Sequence, residues 1–201
     1  MAKRCCRYYG GLLTSQERWL NKMAMKGFRI KRVKKFLYEF EECPSGQYEY
    51  RVEFVGQKSP TDSLSYRSFL EDIGYTVFYK NINLNYSIGK IRYRPWAEKG
   101  AQISTNATTF NREILIVEKE RDNKPFNLHT SYEDQIAYYG SLRNPWLFVF
   151  LSTLLLAIIN TSYICGSLTI LTLLPVIMYQ AQILRPQGHL QLPQGERQVR
   201  L

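Results

Sequence analysis

Two histidines, four cysteines and a few neighbouring carboxylates are the side chains from which this 201-residue chain could assemble a reaction centre. His129 precedes a long apolar tract and His189 lies in a tail rich in Pro, Gln and Gly, so neither has a nucleophile to activate. Glu41-Glu42 and Glu71-Asp72 are adjacent pairs, and adjacent side chains diverge on a strand or a helix rather than sharing a proton. Cys5, Cys6, Cys43 and Cys165 contain no C-x-x-C spacing, which argues against zinc and against a disulfide framework; free thiols fit a reducing compartment. There is no G-x-S-x-G, no P-loop and no G-x-G-x-x-G, and Gly10-Gly11 reads as a joint rather than a phosphate cradle. No catalytic residue, cofactor or metal ligand is expected.

The remaining candidate is charge. Lys3, Arg4, Arg7, Arg18, Lys22, Lys26, Arg29, Lys31, Arg32, Lys34 and Lys35 face a single acid, Glu17, within the first 36 residues. That surplus equals the formal net charge of the whole chain, +10, so the excess is a local surface property. Lys22, Lys26, Arg29, Lys31, Arg32, Lys34 and Lys35 form the candidate site, with Arg29 and Lys31 expected opposite Phe28 and Ile30 on a strand. A solvated face, contact with anionic lipid headgroups and nucleic-acid binding compete as explanations. Nucleic acid ranks last because no recognised binding motif accompanies the charge.

Lipid is favoured by the other end of the chain. Pro145–Leu184 contains no Asp, Glu, Lys, Arg or His. As one helix it would span about 60 Å, twice the hydrocarbon core of a bilayer. Two spans are therefore expected, at about 145–161 and 166–184, with Asn144 as N-cap, Pro145 at the first helical position and a turn near Asn160-Thr161-Ser162. Trp146 and Tyr179 suit one interfacial plane, and Pro175 a kink. Ser152, Thr153, Gly166, Thr169 and Thr172 could support helix packing. Arg143 before the hairpin, and Arg185, Arg197 and Arg200 after it, place both termini in the cytoplasm, so the Asn106-Ala107-Thr108 sequon never meets the glycosylation machinery. The protein is thus expected to be integral to the cell membrane.

Residues 1–14 read as a basic segment, 15–140 as a cytosolic α+β domain and 185–201 as a flexible cytosolic tail. Thr14-x-x-Glu17 has capping-box form and opens a helix with Trp19, Leu20, Met23 and Ala24 on one side, ended by Gly27. Phe36, Tyr38 and Phe40 alternate on a strand; Pro44-Ser45-Gly46 supplies a turn. Tyr48, Tyr50, Val52 and Phe54 then line one face of a second strand, opposite a wet face of Glu49, Arg51 and Glu53. The order recurs. Asp62 can cap a helix carrying Tyr66, Phe69, Leu70 and Ile73, ended by Gly74, with strand-like runs at Tyr75–Ile82, Ile88–Tyr93 and Ile114–Glu118 and a loop over Ala97–Asn111. A last helix over Tyr132–Gly140 leads to Arg143. The expected fold is a duplicated α-β-β two-layer sandwich, helices on one face of a mostly antiparallel sheet, followed by the transmembrane hairpin. Sheet alternation accounts for most of the aromatic residues as core.

Four segments in order carry a resemblance: Arg18–Phe28, Gln47–Phe54, Ser68–Tyr75 and Lys124–Ser131. Together they resemble the bacterial family known as domain of unknown function 2812, over most of residues 15–135. The resemblance implies C-terminal membrane spans and a gene setting beside PadR-type regulators, and brings no established activity or site residues. Asn81–Asn111 is longer than it implies. The expectation is a non-enzymatic, membrane-anchored protein whose cytosolic domain docks a protein partner, regulates or senses. The alternative is an accessory subunit of a transporter or other membrane complex acting through the hairpin.

Overall fold

In a computed structural model, which describes residues 3–56, 60–82, 84, 86–88, 91–94, 103–104, 114–122, 124–126, 128, 132–160 and 163–185, the basic N-terminal segment begins as a strand. β1 (Lys3–Cys6) leads to α1 (Leu13–Met25), β2 (Phe28–Val33) and β3 (Leu37–Glu42). β3 lies between β1 and β2, antiparallel to both. The chain continues through β4 (Tyr48–Phe54), α2 (Pro60–Asp72) and β5 (Thr76–Lys80), then β6 (Tyr86–Ile88), β7 (Ile91–Tyr93), β8 (Ile103–Ser104) and β9 (Ile114–Glu120). β9 lies between β4 and β5, again antiparallel to both. The duplication is therefore a β-α-β-β unit whose last strand inserts between its first two, so each copy carries a leading strand beyond the expected α-β-β. α3 (Tyr132–Asn160) and α4 (Tyr163–Ile183) complete the chain.

The α+β class, the antiparallel pairing and the C-terminal helical hairpin agree with expectation. The pairing partners do not. Pro44-Ser45-Gly46 does not close a hairpin: β3 and β4 belong to different sheets. Both edges of β3 are already occupied by β1 and β2, so β4 has no edge to join there. Pro44-Ser45-Gly46 instead covers the end of α1: the Gly46 N–H donates to the Ala24 carbonyl at 2.9 Å and the Ser45 hydroxyl to the Met25 carbonyl. Gly27, at φ 78°, starts the exit from α1, and a Cβ there would stand 2.9 Å from the Cys43 carbonyl oxygen. Gly74 ends α2 in the same left-handed conformation, φ 91°. Between the two copies the β2–β3 connection is only residues 34–36, while β5 and β9 are separated by residues 81–113. Within that insertion Ile88–Tyr93 is not one strand; β6 and β7 pair with each other, and β8, inside the expected loop, pairs with β7.

Helix starts also differ from the sequence expectation. α1 begins at Leu13, so Thr14 lies inside it, and Leu12 at the cap makes no side-chain bond. Glu17 is engaged on β4 instead of closing a capping box. α2 begins at Pro60, which needs no N–H partner there, with Asp62 in the first turn. Leu20, Met23 and Ala24 of α1 are buried, with Tyr38, Phe40, Tyr50 and Ile30. On α2, Leu70 is buried with Val55, Val77, Leu115, Val117 and Phe126, and Tyr66 packs against that cluster; Phe69 and Ile73 are exposed. β9 is buried at five successive residues, Ile114–Glu118, as a central strand covered on both faces must be. For the same reason the face of β4 expected to be wet is not: Glu53 is buried and accepts a hydrogen bond from the Tyr66 hydroxyl at 2.7 Å.

Two compact units follow from the packing, Met1–Leu142 and Arg143–Leu201. In the first, the start of α3 is held by Tyr138, whose hydroxyl donates to the Gly11 carbonyl at 2.7 Å while its ring packs on Phe54. α3 is one helix from Tyr132 to Asn160, so Pro145 is interior and Asn144 is no N-cap. In the second unit, Thr153, Thr169 and Thr172 are buried, the Thr153 and Thr172 hydroxyls lie 3.3 Å apart, and Arg143 Nη1 donates to Gln180 Oε1 at 2.7 Å. Tyr179 is buried too, not turned to an interface as expected. Phe148, Leu155, Ile158, Ile159, Ile170 and Leu171 are exposed. Asp134–Asn160 and Tyr163–Ile183 are long and apolar enough to cross a membrane.

Candidate functional site

The seven basic candidates do not form one patch. Lys22 and Lys26 are exposed on α1 and just beyond it, next to the start of β2. Lys34 and Lys35 are exposed beyond its far end, about 17 Å away at 3.3 Å per residue. Lys31 and Arg32 are both exposed because the β2–β3 register shifts between Ile30 and Arg32, and the additional residue resets the alternation. Arg32 then stands opposite Glu39, which also ion-pairs with Arg4 at 3.5 Å. The central strand of this sheet thus places carboxylates between its basic neighbours.

Arg29 is withdrawn from the surface role expected of it. Its Nε and Nη2 each lie 2.9 Å from Glu118 Oε1, and its guanidinium sits over the Tyr48 ring. Glu118 is buried on β9. Its other oxygen accepts the Tyr50 hydroxyl at 2.6 Å, and that hydroxyl in turn accepts the Ile30 N–H at 2.9 Å. The hydrogen bond to Glu118 raises the Arg29 pKa further. Burial, then the Glu118 charge, pushes the Tyr50 phenol well above its ordinary range. This Arg29–Glu118–Tyr50 group ties β2 to β4 and β9. The signal for it was in the sequence: Glu118 directly follows four apolar residues on one strand, where a carboxylate needs a buried partner.

A second polar group closes the free edge of β4. Asn21 Oδ1 accepts the Tyr50 N–H at 2.9 Å while its amide donates to the Tyr50 carbonyl at 2.8 Å and to the Glu17 carbonyl at 3.0 Å. Glu17 Oε2 accepts the Val52 N–H at 3.1 Å, and Glu17 Oε1 pairs with Arg51 Nη1 at 2.7 Å. An exposed edge strand is a template for unwanted pairing, and α1 covers this one with side-chain amide and carboxylate groups. Nearby, Tyr9, Trp19, Tyr38 and Phe40 pack ring to ring. The Lys80 ammonium lies over the Tyr38 ring. Burial raises the pKa of both Tyr9 and Tyr38.

Among the described residues no three His, Cys, Asp or Glu side chains gather where they could hold a metal ion. The four cysteines are free thiols, Cys6 exposed. His129, His189, the sequon at residues 106–108 and most of the C-terminal tail lie outside the described residues.

Residues 13–151 match the family model described as Protein of unknown function (DUF2812). The chain belongs to that family. The match begins with α1, takes in both copies of the repeat except β1, and ends inside the apolar part of α3, leaving α4 beyond it. Neither a curated protein nor a solved structure matches the chain.

Proposed function

We propose that this family member is a non-enzymatic, membrane-anchored module whose N-terminal α+β domain docks a protein partner and regulates or senses, in a setting that can include a PadR-type regulator. The hairpin α3–α4 is the anchor, with both termini in the cytoplasm. The observation that carries the reading is the division of polar and apolar groups within the second unit. Its threonines face inward and satisfy one another, while its large apolar side chains face outward with nothing of the unit's own to bury them. A soluble protein exposing that much contiguous apolar helix would aggregate; in hydrocarbon the same surface is stable. In the N-terminal domain the buried carboxylates are engaged within the protein, Glu118 by Arg29 and Tyr50 and Glu53 by Tyr66, which supports a scaffold for docking over a reaction centre.

The same threonines weigh against the alternative of an accessory subunit acting through its hairpin. Thr153 and Thr172 are buried with their hydroxyls 3.3 Å apart, one donating to the other and that one to a carbonyl of its own helix, so they are not presented to a further helix. Two measurements test the proposal. The full-length chain should stay with the membrane after alkaline carbonate washing; recovery as a monodisperse soluble protein without detergent would end the membrane reading. Exchanging residues 145–184 for an unrelated two-span hairpin should preserve partner cross-linking. Loss of every cross-link on exchange would move the function to the hairpin.

A further inference from the structure

We infer that the β2–β3 turn is a contact point for an anionic lipid surface, built from Lys34, Lys35 and Phe36 together with Arg7 and Tyr8 from the segment that follows β1. This deepens the proposed function and rests on the membrane-anchored reading. β1 pairs with β3 so that Cys6 stands opposite Leu37. The Arg7 N–H then donates to the Phe36 carbonyl at 2.8 Å, bringing residues 7–8 against residues 34–36. The Lys34 N–H bonds the Leu37 carbonyl at 2.8 Å and closes the turn. At this end of the sheet Tyr8 is 59% and Phe36 39% exposed, their rings edge to face with centroids 6.0 Å apart. The Lys35 ammonium sits 5.4 Å from the Phe36 ring centroid. Arg7, Lys34 and Lys35 are exposed, the Arg7 guanidinium 5.0 Å from the Trp19 ring centroid.

The composition selects the partner. Exposed aromatic rings at the tip of a strand turn, ringed by cations, match the headgroup layer of a bilayer, where amphipathic rings settle between water and hydrocarbon and basic side chains meet lipid phosphates. The carboxylates of β3, Glu39, Glu41 and Glu42, lie opposite Arg32, Arg29 and Phe28, away from the turn. The acidic residues of β3 thus lie behind the tip, and the three cations Arg7, Lys34 and Lys35 at it. A tethered domain is held at high effective concentration over its own membrane, so a weak contact suffices to orient it. Arg29, locked on Glu118, and Lys22 and Lys26, beyond the other end of β2, are not part of the contact.

The test uses the full-length chain in lipid nanodiscs of phosphatidylcholine alone or mixed with phosphatidylglycerol. A photoreactive benzophenone amino acid replaces Phe36 or, as control, Lys26. Position 36 is expected to give lipid adducts several-fold more abundant with phosphatidylglycerol than without, the excess shrinking as salt rises. Lys34→Gln and Lys35→Gln should each lower the adduct yield, by up to about fivefold per cation removed. Lys34→Arg with Lys35→Arg should keep it, which separates loss of charge from loss of folding. Equal yields in the two lipids, equal yields at positions 36 and 26, or diversion of the position-36 cross-link to an added duplex oligonucleotide would each overturn the inference. Release of the chain from the membrane by carbonate would instead refute the proposed anchoring. A chain that stays integral without a lipid adduct at position 36 refutes only the contact.

Discussion

Asn21 on α1 holds Tyr50 on β4 by both of its backbone polar groups, accepting from its N–H at 2.9 Å and donating to its carbonyl at 2.8 Å. A helix side chain thus substitutes for the neighbouring strand that β4 lacks on that edge. The contact matters beyond its two bonds, because the Tyr50 side chain leads directly to Glu118 and, through it, to Arg29.

Asn21→Ala should therefore destabilise the N-terminal domain by about 2 kcal/mol or more, since two largely buried backbone groups lose their partner at once. Asn21→Asp keeps the acceptor for the Tyr50 N–H but loses the donor to its carbonyl, and should fall between. Denaturant unfolding of the full chain in detergent micelles reads both; wild-type stability in Asn21→Ala would contradict the edge-covering role.

Arg29→Ala leaves a buried carboxylate on Glu118 with only the Tyr50 hydroxyl. The loss is expected to be about 2 kcal/mol, below the value for a fully buried pair because the Arg29 side chain is 32% exposed and water softens the interaction. Adding Glu118→Gln to Arg29→Ala should recover part of it. A double-mutant cycle with no coupling between the two positions would show that the ion pair contributes nothing.

Stability should fall steeply on the alkaline side. Burial raises the pKa of Tyr9, Tyr38 and Tyr50 in the folded protein above the ordinary phenol value of about 10 that they have when unfolded. The folded state thus keeps protons that the unfolded state releases. Their contribution is complete below about pH 10 and is lost as the pH rises beyond it, each such tyrosine adding up to about 1.4 kcal/mol per pH unit. Tyrosinate absorbance from the buried group, Tyr9, Tyr38 and Tyr50, should appear only as circular dichroism is lost. Smooth titration of every tyrosine with the fold intact would disprove the burial.

In the hairpin, Thr153→Val and Thr172→Val should show a coupling energy of about 0.6 kcal/mol, the usual worth of a hydrogen bond between membrane helices. The value is small because the proton that either hydroxyl gives to the other is one it could instead give to a carbonyl of its own helix, Phe150 for Thr153 and Thr169 for Thr172. Unfolding in bilayers by the four chains of the mutant cycle measures it. Zero coupling would mean that the two hydroxyls do not meet.

What the sequence determined by itself was part of the local structure. A charge-free run set the two apolar helices, and 3.6-residue spacing set the buried side of α1. Gly27 and Gly74 marked the helix ends because a left-handed exit excludes most other residues. Tertiary structure alone decided the rest. β3 pairs with β1 and β2 rather than β4, and β4 waits for β9, because strand pairing depends on which edges remain free when the chain has closed, a property no local window contains. Pro145 reads as a helix start only until packing of Tyr138 extends the helix ahead of it. Arg29 looks like its basic neighbours in sequence, but Glu118 lies 89 residues further along, and only folding places them within a hydrogen bond. Tyr8 and Phe36 meet for the same reason: an antiparallel strand pair brings together residues whose shared surface neither segment encodes.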